Sequence, residues 1–118
     1  MNILIPKELK IYNLNLKLHF TLMWEDSNLF ETETLNQVIE DVFETKFELI
    51  ILDIDMEDND KIEQFVAKAI RYTKIIIFTN NSELSNREMQ LLEIGADAIV
   101  SKHASPEDII STLNLVFG

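Results

Sequence analysis

Three short segments end in side chains able to do phosphoryl chemistry. FELIILDIDM (Phe47 to Met56) carries Asp53, FTN (Phe78 to Asn80) carries Thr79, and IGADAIVSK (Ile94 to Lys102) carries Lys102. Each follows or contains an apolar, strand-like run. In a parallel sheet the carboxyl ends of the strands share one rim, where the ligand crevice lies. A carboxylate, a hydroxyl and an ammonium group, distant in sequence, would meet there. Those are the parts of an aspartyl-phosphate site.

The elements that must position them alternate along the chain. Short apolar runs predict strands at Ile3 to Ile5, Phe20 to Trp24, Phe47 to Asp53, Lys74 to Thr79 and Ala98 to Ser101. The third and fourth are nearly continuous, as expected for strands covered on both faces. Leu35, Val38, Ile39, Val42 and Phe43 recur at helical spacing, and so do Ile62, Phe65, Val66, Ala69 and Ile70. Thr34 with Gln37, and Ser85 with Glu88, read as capping boxes. Ser105 and Pro106 open a last helix that buries Ile109, Leu113, Val116 and Phe117.

Pro6 to Leu18 supports two readings. Leu9, Tyr12 and Leu16 make one helical stripe, and Ile11, Leu14 and Leu18 another. Tyr12 to Trp24 also alternates as a long strand would. Pro6 and Glu8 resemble a helix start, and the β/α order needs a helix there, so a helix is expected for the first part. Five β–α units then predict an α/β fold. Right-handed crossovers favour a flavodoxin-like (βα)5 doubly wound parallel sheet of strand order 2-1-3-4-5.

Composition narrows the function. The 118 residues suggest one domain, 1–118, and 47% are hydrophobic, enough for a core. No apolar run is long enough to span a bilayer, and MNILIPKE lacks the features of a signal peptide. A cytoplasmic protein is expected. There is no cysteine, which excludes disulfides and thiolate chemistry, and His19 and His103 alone build no histidine-rich metal site. The net charge of −11 opposes direct nucleic-acid contact by this segment. Only Gly95 and Gly118 are glycines, so no glycine-rich nucleotide loop exists. No constellation for a metabolic enzyme is found. A small-ligand or flavin module on the same fold is disfavoured, because no hydroxyl- or glycine-rich phosphate loop follows the first strand.

Each candidate also has a plainer reading. Asp53 could be an acid at a strand end without an acceptor role, Thr79 a turn residue, and Lys102 a lysine whose stem packs on the last helix. The acids Asp53, Asp55, Glu57, Asp58 and Asp60 lack the central glycine and closing glutamate of a calcium loop. They read as a solvated loop and helix N-cap, and Trp24 reads as a packing residue.

From Phe47 to Phe117 the chain resembles the receiver domain of bacterial two-component response regulators. LDIDM is similar to the family's phosphoacceptor strand end, with Asp53 in the acceptor position. IIIFTN resembles the fourth strand with its conserved hydroxyl residue, here Thr79. GADAIVSK followed by SPEDII resembles the fifth strand with its lysine, here Lys102. The resemblance implies Asp53 as phosphoacceptor, with Thr79 and Lys102 contacting phosphoryl oxygens. The departures are as specific. The two acids that help hold Mg²⁺ in the family are here Pro6 and Lys7. The switch aromatic is Ile99, and the usual prolines after the methionine and lysine are Glu57 and His103. The pattern is that of an atypical receiver.

Phosphorylating a carboxylate joins two anions, a repulsion that Mg²⁺ normally screens. Without the acid pair its affinity should fall. Glu25 and Asp26, at the end of the expected second strand, read as a polar turn rather than a substitute. Lys7 or Lys102 could instead pair with Asp53. Two unit charges about 4 Å apart attract by about 4 kcal/mol at an effective dielectric of 20. The expectation is a regulatory domain acting by protein contact or dimerisation, with impaired or absent Mg²⁺-dependent phosphorylation and no cofactor. The alternative is a working phosphoacceptor, a phosphorelay member phosphorylated on Asp53 by a histidine kinase with Mg²⁺. The resemblance implies a homodimer through the fourth helix, fifth strand and last helix (Arg87 to Phe117). It also implies transcription regulation through a C-terminal DNA-binding effector domain, which these residues do not include.

Overall fold

The computed structural model describes residues 1–12 and 15–118. Apolar runs and one-sided amphipathic stretches take turns along the chain, and strands and helices follow them. The order is β1 (Asn2–Pro6), a 3₁₀ turn (Lys7–Tyr12), α1 (Leu16–Met23), β2 (Asn28–Thr32), α2 (Leu35–Glu44) and β3 (Leu49–Asp53). A second 3₁₀ turn (Asn59–Lys61) leads into α3 (Ile62–Ala69), β4 (Lys74–Thr79), α4 (Asn86–Ile94), β5 (Ala98–Ser101) and α5 (Pro106–Phe117). The strands form one parallel sheet in the order β2-β1-β3-β4-β5, as the sequence predicts.

Successive strand residues point to opposite faces. Leu4, Ile50, Leu52, Ile75 and Ile77 face one core, with Leu35, Val66 and Leu91 from α2, α3 and α4. Ile3, Leu49, Ile51, Ile76 and Phe78 face the other, with Phe20 from α1 and Leu113 from α5. All five residues of β3 are buried, so the strand that ends in Asp53 is held on both sides.

Local chemistry sets the helix starts. Ser85 accepts from the Glu88 N–H at 3.2 Å, and Glu88 accepts from the Ser85 N–H at 3.1 Å, a complete capping box. Ser105 caps α5 through the Asp108 N–H, with Pro106 in the first turn. Thr34 accepts from the Gln37 N–H, but the Gln37 side chain takes the N–H of Glu33 rather than of Thr34. That box reaches one residue further back.

The first third departs from the sequence reading. Phe20 to Trp24 is not a strand: α1 covers Leu16–Met23, and β2 is Asn28–Thr32. The buried residues of α1 are Leu16, His19 and Phe20, a helical spacing, while Leu18 and Leu22 face solvent. The helix expected from Pro6 is a 3₁₀ turn, and Leu14 lies outside the described residues. Glu25 and Asp26 precede β2 instead of ending it. The Met1 ammonium donates to the Asp26 carbonyl at 3.1 Å, at the amino-terminal rim. Trp24 packs edge-on against Phe117, with ring centroids 4.9 Å apart.

α4 ends at Gly95, whose φ of +132° suits glycine and whose added Cβ would lie 2.5 Å from Ile70 Cδ1. The isoleucine tip can move, but the backbone angle stays strained. Gly95→Ala should lower stability by about 1–3 kcal/mol in urea unfolding. Unchanged stability would show that this turn relaxes to negative φ.

Candidate functional site

Strand register brings the three candidate residues to one rim. Asp53 lies beside Phe78, and Thr79 beside Ser101. Ladder-like bonds continue one residue further: Ile54 N–H donates to the Phe78 carbonyl at 3.0 Å, and Lys102 N–H to the Thr79 carbonyl at 2.8 Å. Lys102 therefore starts level with the end of β4, and its side chain reaches Asp53. Its Nζ is 2.7 Å from Asp53 Oδ1 and 3.5 Å from Asp55 Oδ2. The Asp53 and Lys102 side chains are 2% and 3% exposed, whereas that of Asp55 is 63% exposed. Asp53 Oδ1 also accepts from the Asp55 N–H at 3.0 Å. The pair is thus desolvated and directly bonded, with exposed Asp55 beside it.

Thr79 faces a second carboxylate. Its hydroxyl donates to Glu88 Oε1 at 2.6 Å, and the Asn81 side-chain amide donates to the same oxygen at 2.9 Å. The Asn81 N–H in turn donates to Thr79 Oγ1 at 3.1 Å. Glu88 is fully buried at the start of α4. Burial pushes its carboxyl up, but bonds from Thr79, Ser85 and Asn81 outweigh it and hold the carboxyl below its ordinary value. Sequence reasoning gave Glu88 only a capping role. The missed signal is its spacing: buried Leu91 lies three residues on, so Glu88 shares its helix face. An acid on a core-facing stripe must find donors.

The other candidates lie around this pair. Pro6 is buried at the end of β1. Lys7 pairs with Glu33 at 3.6 Å, both side chains largely exposed, rather than with Asp53. Of the two ion pairs that the sequence allows for Asp53, the one with Lys102 forms. Ile99 is half-buried against the α2–α3–α4 core, and His103 is exposed beyond Lys102. The acidic loop after Asp53 is tied by neutral groups. The Asn59 amide donates to the Ile54 carbonyl at 2.7 Å, and the Leu35 N–H to the Glu57 carbonyl at 2.9 Å. Asp58 turns there in the left-handed region, at φ 65°. Among the described residues, no three His, Cys, Asp or Glu side chains gather as a metal site.

Two predictions follow from these contacts. Removing one partner of a buried ion pair strands the other charge, so Lys102→Met should cost about 3–5 kcal/mol in urea unfolding. Asp53→Ala with Lys102→Met should cost less than the two single losses added. Lys7→Ala should stay within about 0.5 kcal/mol of the parent. An equal loss from both lysine substitutions would refute the assignment of the pair. For Glu88, folding lowers the carboxyl pKa below its ordinary 4.5. The ionised form is then the stabilising one, complete above that value and lost as pH falls through the folded pKa. Glu88→Gln should cost about 1–3 kcal/mol at neutral pH, and the gap to wild type should narrow once pH drops below 4.5. A gap that does not change between pH values would remove the charge from this argument.

Comparison with known proteins agrees with this architecture. The receiver domain of the putative response regulator NarL from Mycobacterium tuberculosis superposes with a TM-score of 0.73 at 17% identity, covering 99% of this chain and 96% of that one. A two-component response regulator from Clostridium difficile gives 0.76 at 21% identity, covering 99% and 95%. RcsB from Salmonella enterica serovar Typhimurium, bound to promoter rprA in the presence of the phosphomimetic BeF3−, gives 0.74 at 19% identity. There the match covers 97% of this chain but only 66% of RcsB, about two-thirds of its length. These likenesses establish the fold. No curated protein sequence matches the chain. Residues 13–114 match the response regulator receiver domain family. With most of its length inside that match, the chain belongs to the response regulator receiver domain family, a family of two-component signalling modules.

Proposed function

We propose that this receiver domain regulates through protein contacts, and that its own ion pair, rather than Mg²⁺-dependent phosphorylation, sets the state of its pocket. The observation that carries the reading is Lys102 Nζ lying on both Asp53 and Asp55, with Pro6 and Lys7 where the family has its acid pair. Mg²⁺ takes about six oxygens, usually with one or two carboxylates and several waters. Here the two rim carboxylates already share an ammonium group, and the nearest substituted position, Lys7, is cationic and turned to Glu33. This donor set does not suit Mg²⁺ as arranged, and no cofactor is required by the reading.

Phosphoryl contact by Thr79 would also require its hydroxyl to leave Glu88. Both features favour one resting arrangement. Signalling then passes through a surface. The α4–β5–α5 face is the candidate for homodimer contact, with Met89, Leu92 and Ile110 exposed on it. Output to transcription would need a DNA-binding region outside these residues, since a domain of net charge −11 is a poor ligand for DNA. A cytoplasmic setting suits this role, and no described helix is long and apolar enough to cross a membrane.

The second reading is a working phosphoacceptor for a histidine kinase, favoured by the meeting of Asp53, Thr79 and Lys102 at one rim. Beryllofluoride titration with Mg²⁺, followed by amide NMR, separates the two. We expect no Asp53-dependent binding by the wild type, and gain of Mg²⁺ binding in Pro6→Asp with Lys7→Asp. We also expect a dimer without phosphodonor that Ile110→Glu dissociates in sedimentation analysis. Tight wild-type binding that Asp53→Asn abolishes would establish the phosphoacceptor instead.

A further inference from the structure

The basic side chains of this acidic domain are not spread evenly. Of the ten, Lys7, Lys74, Arg87 and Lys102 each sit in an ion pair. Lys17, Lys46, Lys61, Lys68 and Arg71 make no ion pair among the described residues and all are exposed; Lys17 lies apart on α1, and the other four lie together. These four surround one feature, the groove between α2 and α3. Its hollow of about 290 Å³ has a floor of Ile39, Val42, Phe65 and Ala69. Lys61, Gln64 and Lys68 form its α3 wall. Arg71 lines an adjoining hollow with Lys68 and Tyr72, and Lys46 another with Phe43.

Two aromatic rings stand at the lips. Phe43 is 86% exposed and Tyr72 79% exposed, although both border an apolar floor. Exposed aromatics beside an apolar hollow are what protein contacts use as anchors. Neither ring serves the fold: the α2–α3 core is closed beneath them by Phe65, Val66 and Val38. This hollow shares lining residues with its two neighbours, of about 430 and 560 Å³, and together they make an open trough along α2 and α3 that suits an extended or helical segment.

We propose that this groove docks an acidic amphipathic segment of another protein. One large apolar side chain of that segment sits between Phe43 and Tyr72, and carboxylates within a helical turn of it meet Lys61, Lys68 and Arg71. This is the helix-in-groove mode of recognition with an electrostatic rim. The cations of the groove, Lys61 and Lys68, both come from its α3 side, whereas α2 carries Glu40, Asp41 and Glu44, so the ligand's acidic edge must lie over α3. The surface is separate from the Asp53 pocket and from the α4–β5–α5 face, and its use does not depend on the state of Asp53.

A displayed library of random 16-residue peptides, selected on the intact domain, tests this without presupposing a sequence. Enriched peptides should carry an aromatic or leucine anchor with Asp or Glu within four positions. Their amide NMR footprint should fall on Phe43, Gln64, Lys68 and Tyr72. Lys68→Glu with Arg71→Glu should weaken a selected peptide at least tenfold, Phe43→Ser likewise, and raising salt should weaken the wild-type complex. These residues are exposed, so thermal unfolding should stay close to wild type and exclude misfolding as the cause. No enrichment, enrichment of basic peptides, a footprint elsewhere, or self-association of the domain through this groove would each overturn the proposal.

Discussion

The contact between Lys102 and Asp53 constrains the rest of the rim. Neither charge could be this deeply buried alone, because an isolated ion in a low-dielectric interior is far less stable than in water. Each is admissible because the other is 2.7 Å away. That distance requires β3, β4 and β5 to end nearly level, which the parallel register provides. It also requires the backbone at Lys102 to stay bonded to Thr79 after β5 has formally ended. The sheet's apolar interior and its polar rim are therefore one problem. The buried faces of β3 and β4 hold the strand ends in place, and the rim tolerates charge because those ends do not move apart.

A second buried carboxylate extends this rim into the helix layer. Glu88 collects the Thr79 hydroxyl and the Asn81 amide on one oxygen and the Ser85 N–H on the other. The same side chain caps α4 and fastens the end of β4. Arg87, one residue earlier, binds Glu63 of α3 and holds that carboxyl below its ordinary range. Consecutive residues of α4 thus tie it to the strand end on one side and to α3 on the other. Displacing Thr79 would leave Glu88 short of a donor and loosen the helix start, so changes at the pocket and changes in α4 are mechanically linked.

Much of this was legible in the sequence where one signal dominated. β4 and β5 have the bounds predicted, because apolar runs there end abruptly in Thr79 and near Lys102. The caps Ser85 and Ser105 were legible because capping is local chemistry. The region from Pro6 to Thr32 was not. Its leucines alternate with polar residues and imitate a strand, and the buried face of α1 includes His19, which blurs the helical stripe. The true β2 buries only Thr32, half-buries Leu29 and lies at the sheet edge, so little apolar pattern marks it. Pairings such as Thr79 with Glu88 or Lys7 with Glu33 depend on tertiary placement. Spacing could nominate Glu88 as buried, but could not name its donors.

A receiver that switches needs two arrangements within a few kcal/mol of each other, so that an input can exchange their populations. Here several contacts favour the same arrangement: the Lys102 ion pair, the Thr79–Glu88 bond and the complete capping box of α4. An incoming phosphoryl group would have to offset these together, and under the proposed function it would do so without the family's acid pair, here Pro6 and Lys7. Lys7 makes the point from the other side. In the family this end of β1 is a pair of acids that draws a cation inward. Here its cation faces outward to Glu33, and the positive charge beside Asp53 arrives from β5 as part of the chain. A tethered ammonium cannot diffuse away, and its concentration at Asp53 does not vary with the medium. The family's fifth-strand lysine is retained as Lys102 while its acid pair is replaced at Pro6 and Lys7, so under the proposed function the tethered charge acts without an exchangeable ion and information passes through the surface.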